Sequence, residues 1–533
     1  MRNPIDPPET GESNRLSAED SSTAARTRQN HRSAVDGDVK ILASGARVAL
    51  FGKVGGRGVH VIGQVVAARI LGAEIFGLYA LGWTILRIAT KLGPLGLDQA
   101  AVRFGAGYWQ EHKAALRSLL RRSLGLALLS GILLGGGLVF GAPMLATRIF
   151  GKPDLEVVFR VFGVALPLAI LLRVTASATR ASQLVKSAVL SEDIGQPAAF
   201  LMIATPWLLL GGGLSGALWS MTVSFALALG LATVLLKLLL SPLQTDRPAP
   251  ELPLRKILAF SLPASLSGTF VMLLVWADRL MIGLLRPAAD IGVYQAASQS
   301  AILFAVILGA FASIFPPQIA RLYHAGETRR VEQLYRVSTK WGLYLSIPAF
   351  LVIFFESRNL LALIFGPEFT RGWVALLILT VGQLGNVATG GASQLLTMTG
   401  YQTSWLIMSS SALTANLALN LLLIPQFGIE GAATASALSL TGLFLAAVVR
   451  ARKVLRMWPY DARYLKGLLA VACAAAAMAA IHAALPANPL ARVTIGAVVA
   501  TGAFFLPLVL LGLDPEDEQI RRLVGSLWRR TRT

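Results

Sequence analysis

Lys53, Arg57, His60 and Gln64 recur at steps of four, three and four within an apolar segment that runs roughly over 43–71. On a helix that spacing puts all four on one face. The remainder of the segment is mostly Val, Ile, Leu, Ala, Phe and Gly, so it reads as a membrane-spanning helix with one polar stripe. Charge facing lipid is costly, which places such a stripe in a protein interior or a watery cavity, and a cationic cavity suits an anionic cargo. The alternative is that Lys53 and Arg57 snorkel to the near headgroups, a reach too long for His60 and Gln64.

Further candidates follow along the chain. Arg87 and Lys91 lie four apart on a second span; Lys91 reads as a headgroup anchor and Arg87 as a deeper cation. Arg69, at the far end of span one, reads as an interface anchor. Asp278 and Arg279 are adjacent in span seven, and adjacent helical residues do not face each other. Asp278 is therefore expected either to pair with a cation across an interface or to bind a proton or sodium. Arg173 and Arg180 sit near the inner end of span four, as an anion site or as positive-inside anchors. Gln383, Asn386 and Gln394 on span ten, and Asn416 and Asn420 on span eleven, carry amides that either bond a hydroxylated cargo or join helix to helix.

The elements that must position these groups are legible from composition. The 533 residues are 55% hydrophobic and 14% charged, with a mean hydropathy of +0.63. An ordinary soluble domain is about 25% charged. Fourteen apolar segments of spanning length can be placed, so the chain reads as an all-α, polytopic membrane protein. Of 48 Lys and Arg, 33 fall in the tails and in alternate connections that then become cytoplasmic, and 6 in the opposite connections. That bias puts both termini in the cytoplasm. It also accounts for the net charge of +20 without nucleic acid. The one cysteine, Cys473, permits no internal disulfide, and neither a metal cluster nor a cofactor motif is expected. Residues 52–58 lack the order of a phosphate-binding P-loop.

Three sequence landmarks repeat at one shift of 215: Phe76-Gly-Leu-Tyr79 with Ile291-Gly-Val-Tyr294, Ile149-Phe-Gly151 with Ile364-Phe-Gly366, and Gly213-Leu-Ser-Gly-Ala217 with Gly428-Ile-Glu-Gly-Ala432. Six spans thus repeat as six, with the same orientation, and a cargo path is expected between the halves. The resulting plan is a tail (1–43), a first lobe (44–240), a linker (241–256), a second lobe (257–455), two further helices (456–512) and a tail (513–533).

Ala277-Asp-Arg-Leu-Met-Ile-Gly283, Ile364-Phe-Gly-Pro-Glu-Phe369, Ile424-Pro-Gln-Phe-Gly-Ile-Glu-Gly-Ala432 and Gly72-Ala-Glu-Ile-Phe-Gly-Leu-Tyr79 resemble landmarks of bacterial polysaccharide (O-antigen) flippases. The resemblance covers about 40–515 and extends to the wider superfamily of multidrug exporters and lipid II flippases. It implies a two-lobed bundle that carries a polyprenyl-pyrophosphate-linked oligosaccharide across the membrane by alternating access. Membrane lipids and polysaccharide polymerase machinery are its implied partners, and it is no enzyme. The alternatives are a lipid II flippase and a multidrug cation antiporter; the second is disfavoured by nine basic residues within spans against few acids, chiefly Asp278 and Glu356. A glycan polymerase or ligase would need larger outer loops than these.

Overall fold

The computed structural model describes residues 52, 54–109, 112–182, 185–241, 253–461, 464–484 and 488–512. Lys53 lies outside them, as do both tails. Among the described residues every regular element is a helix. In lipid each backbone N–H and C=O needs an internal partner, and a helix supplies one within the segment.

The first lobe comprises α1 (54–92), α2 (Leu97–Tyr108), α3 (Lys113–Met144), α4 (Leu155–Arg180), α5 (Val185–Ala188), α6 (Gln196–Leu209) and α7 (Gly213–Leu240). The second comprises α8 (Leu254–Leu285), α9 (Ala288–His324), α10 (Thr328–Ile364), α11 (Trp373–Ala388), α12 (Ala392–Met398) and α13 (Gln402–Leu455). Two more helices, α14 (Tyr464–Ala484) and α15 (Pro489–Leu510), pack on α10 through Tyr344, Ile347, Leu351, Ala474, Met478 and Phe504.

Ten helical runs among the described residues are long and apolar enough to cross a membrane. Two of them cross twice. α13 has 54 residues, about 80 Å of helix against a hydrocarbon core of about 30 Å. It folds back at Gly428, whose φ of 59° is a left-handed conformation open to glycine. α1 turns in the same way at Gly72, φ 74°. Adding α9 and the continuous run from Val185 through π-helical turns to Leu209 gives the expected fourteen.

The repeat is visible as geometry. Gly151 and Gly366 both have positive φ, as do Gly213 and Gly428, and each pair is related by the shift of 215. Gly77 and Gly292 meet each other. A Cβ on Gly77 would stand 1.8 Å from the Ala288 carbonyl oxygen, and one on Gly292 would stand 2.1 Å from that of Ala73. Ala73 and Ala288 are themselves repeat partners, so each half makes the same contact with the other. That reciprocity is the mark of a two-fold axis, here passing between the two glycines.

Around this axis the two halves are clasped at one end. Arg69 donates Nε to the Ile364 carbonyl at 2.7 Å and Nη2 to that of Leu363. Lys152 donates to the Gly283 carbonyl, and burial lowers the pKa of its ammonium. Glu368 accepts from the Ala73 amide at 3.0 Å, and Phe76 meets Phe369 edge to face. Arg69 is therefore a tie between halves and not a headgroup anchor. The correction has a simple cause: the Ile364 carbonyl end that it caps lies 295 residues further along the chain.

Candidate functional site

The glycines of the first leg of α1 set which face is open. A Cβ on Gly56 would stand 1.9 Å from the Asp193 carbonyl oxygen, and one on Gly52 would stand 2.0 Å from Val189 Cγ1. This face lies flush against the 189–195 turns, leaving Arg57 exposed on another side. On the second leg Trp83 and Arg87 are four apart and share a face. The His60 ring lies 5.5 Å from the Trp83 ring, and the Arg87 guanidinium lies 5.5 Å from the same indole. Arg87 also lies 5.9 Å from Trp276, on α8 of the other half. It remains exposed although rings of both halves flank it, so it borders an open space between them.

Lys91, one turn on from Arg87, reaches to 4.0 Å from where a Cβ on Gly268 of α8 would sit. It faces the other half and is not the lipid anchor that its position suggested. Arg87 and Lys91 thus form a basic wall on α1 beside α8, with His60 against the Trp83 ring and Arg57 exposed on the first leg.

Several expected residues are not part of that wall. Gln64 is buried and donates to the Tyr79 hydroxyl at 3.4 Å, inside the first lobe. Tyr79 is held by Phe162 and Phe200, so Gln64 sits in an aromatic interior and not in a cavity. Arg173 pairs with Asp98 at 3.0 Å and Arg180 with Glu192 at 2.6 Å. Both arginines brace α4 within its own lobe and neither presents an unpaired cation.

Asp278 and Arg279 are each 1% exposed and lie within the second lobe. Asp278 accepts from the Tyr294 hydroxyl at 2.6 Å, from Asn420 Nδ2 at 3.0 Å, from Asn416 Nδ2 at 3.4 Å and from the Ser436 hydroxyl. Arg279 donates to Gln295 Oε1 and Ser298 Oγ, each at 2.5 Å, and to the Val275 carbonyl at 2.8 Å. Its guanidinium lies 4.6 Å from Trp276. The expected ion pair across the halves is absent: Asp278 binds α8 to α9 and α13 in one lobe. Asn416 and Asn420 serve that carboxylate and no cargo-facing surface. Gln383 and Asn386 are half-buried on α11 and have no side-chain bond among the described residues.

Sequence reasoning missed Trp83, Trp276, Tyr294 and Ser436. The repeat held a signal for one of them. Gln64 and Tyr79 of the first half fall on Arg279 and Tyr294 of the second, and each pair is in contact. Gly63 falls on Asp278, so the second lobe carries a buried carboxylate where the first has no side chain.

The sequence pattern of the family described as "Polysaccharide biosynthesis protein" matches residues 42–322, and that of the MatE family matches 263–422. The chain is 27% identical over 396 residues to "Probable low-salt glycan biosynthesis flippase Agl15" of Haloferax volcanii, covering 72% of this chain and 78% of that protein. It is 26% identical over 348 residues to "Succinoglycan biosynthesis transport protein ExoT" of Rhizobium meliloti, covering 63% and 65%. Among solved structures, the lipid II flippase MurJ in an inward closed conformation shares the fold with a TM-score of 0.70 at 12% identity, over 86% of this chain and 98% of that one. An inward-facing multidrug resistance transporter of the MATE family and MOP superfamily gives 0.63 at 16% identity, over 75% and 94%. Since the first of these family patterns spans more than half of its residues, the chain belongs to the polysaccharide biosynthesis protein family.

Proposed function

We propose that the protein is a flippase for polysaccharide precursors, moving a polyprenyl-pyrophosphate-linked oligosaccharide from the inner to the outer leaflet of the cytoplasmic membrane. The observation that carries this reading is Arg87, an exposed guanidinium held between Trp83 of one half and Trp276 of the other. Pyrophosphate cannot shed its water in a bilayer without strong replacement bonds. Guanidinium groups supply them as paired, charge-assisted hydrogen bonds, Lys91 adds a cation on the same wall, and Arg57 is an exposed guanidinium on the first leg of the same helix. In the sequence Lys53 stands four residues before Arg57, the spacing of one helical face. Two relatives named for glycan or succinoglycan biosynthesis point to the same cargo class.

The charge bias of the connections assigns the clasped end to the outer face, with both termini inside. The wall then receives a head group from the cytoplasmic side while the outer end is shut. Parting of Arg69, Lys152 and Glu368 from their partners opens the other side, which is alternating access about the two-fold axis. A cation exporter is less well supported, because Asp278, the carboxylate nearest in chain to Trp276, is already surrounded by four donors.

The test is transfer of a pyrophosphate-linked glycolipid across proteoliposome membranes. Wild-type protein is expected to expose it on the opposite leaflet, and Arg57→Ala with Arg87→Ala to stop this. Normal transfer by the double variant, with the protein inserted in the membrane, overturns the reading.

A further inference from the structure

At the clasped end α8, α9, the turn before α11 and the break in α13 surround a hollow of about 300 Å³. Its chemistry comes from Arg286, Asp290, Arg371, Gln426, Phe427 and Glu430. Asp290 sits between two guanidiniums: Arg286 Nε is 3.0 Å from one oxygen and Arg371 Nη2 is 3.5 Å from the other. The arginine side chains stay 40% and 51% exposed, so most of their N–H donors remain open. Gln426 and Phe427 are exposed, and neither Gln426 nor Glu430 has a side-chain partner among the described residues.

Two positive and two negative groups make the hollow neutral overall and dense in both donors and acceptors. A phosphate would meet Asp290 and Glu430, and a cation would meet both arginines. A vicinal diol suits it, since each hydroxyl both donates to a carboxylate and accepts from a guanidinium. The exposed Phe427 ring offers an apolar face for the C–H side of a sugar. The fold does not require this cluster. At the repeat-related positions the first lobe has Leu71, Ile75, Glu156, Gly211, Gly212 and Ser215, and its chain turns there with the same positive φ at Gly213 as at Gly428.

We propose that this hollow is a saccharide subsite that holds a neutral sugar residue of a glycan at the clasped face, distinct from the basic wall between the lobes. It takes from the flippase reading only that the cargo carries sugars, and it is tested without transport. The full chain in lipid nanodiscs, free of sugar detergents, is titrated with gluco-, manno- and galacto-configured neutral tetrasaccharides and separately with inorganic phosphate, followed by saturation-transfer NMR. At least one tetrasaccharide is expected to bind and phosphate is not. Gln426→Ala and Phe427→Ala, both exposed and outside the ion pairs, are each expected to weaken the sugar by about tenfold with unchanged thermal melting. Absence of binding by all three sugars, unaltered binding in both variants, or preferential binding of phosphate would each overturn the proposal. Failure of glycolipid transfer alone would leave sugar binding intact and would count against the flippase reading instead.

Discussion

Arg87 and Asp278 show two opposite uses of a charge inside a membrane protein. Arg87 keeps its fork open between two indoles, whereas Asp278 has every accessible direction filled by Tyr294, Asn416, Asn420 and Ser436. The first arrangement suits exchange of partners and the second suits permanence. Arg87→Lys keeps the charge but loses the planar fork and its stacking, so glycolipid transfer is expected to fall about tenfold, and Arg87→Ala about a hundredfold or more. Initial rates in proteoliposomes check both. Asp278→Ala strands four donors and leaves Arg279 without its neighbouring counter-charge, at a cost of about 3–5 kcal/mol. Asp278→Asn, which still accepts hydrogen bonds, is expected to cost less, and the melting temperature in detergent orders the two. Helical spacing grouped Arg57, His60 and Gln64 on one face. It could not tell that Gln64 would meet Tyr79, or that Arg173 and Arg180 would meet Asp98 and Glu192, because spacing gives a face and not what stands opposite it.

The helices are organised around a few glycines that permit backbone to touch backbone. At Gly77 and Gly292 any side chain collides with a carbonyl of the opposite half, 1.8 Å and 2.1 Å from the added carbon. Gly77→Val and Gly292→Val are each expected to push the clasped ends apart. In proteoliposomes this appears as increased labelling of a cysteine placed at Ala73, in a Cys473→Ser background. Gly428→Ala forces an L-residue to φ 59° and is expected to destabilise by about 1–2 kcal/mol, read as a lowered melting temperature. The repeat of Gly-containing landmarks was readable in the sequence because turns of this kind admit few residues. The inward legs of α1 and α8 were readable too, but their mutual placement was not. Lys91 looked like a lipid anchor because nothing local announces that α8 passes alongside it.

For the whole molecule, the two lobes share a backbone plan and differ in where they keep their polar groups. The first sets Arg87 and Lys91 beside α8 of the other half, while the second buries Asp278 and Arg279 in its own interior. Movement of the lobes about their common axis is the expected working cycle. Ala73→Cys with Glu368→Cys, joined by a short thiol-reversible cross-linker in the Cys473→Ser background, is expected to halt glycolipid transfer and to restore it on reduction. Transfer that continues while cross-linked would contradict this cycle. Fourteen crossings and parallel halves followed from apolar length, the alternation of basic connections and a shared shift of 215. The end at which the halves are fastened did not follow, because the ties run to the carbonyls of Gly283, Leu363 and Ile364. Main-chain oxygens are present at every position and leave no trace in residue types.

That choice of acceptor governs what can undo the fastening. Peptide oxygens have no proton to gain in mild acid, so acidification leaves the ties of Arg69 and Lys152 in place. Under the proposed flippase function, unlocking falls to a competitor for two cations, and a phosphate ester is a stronger acceptor than an amide carbonyl. A door secured in this manner answers to its passenger and not to the weather outside.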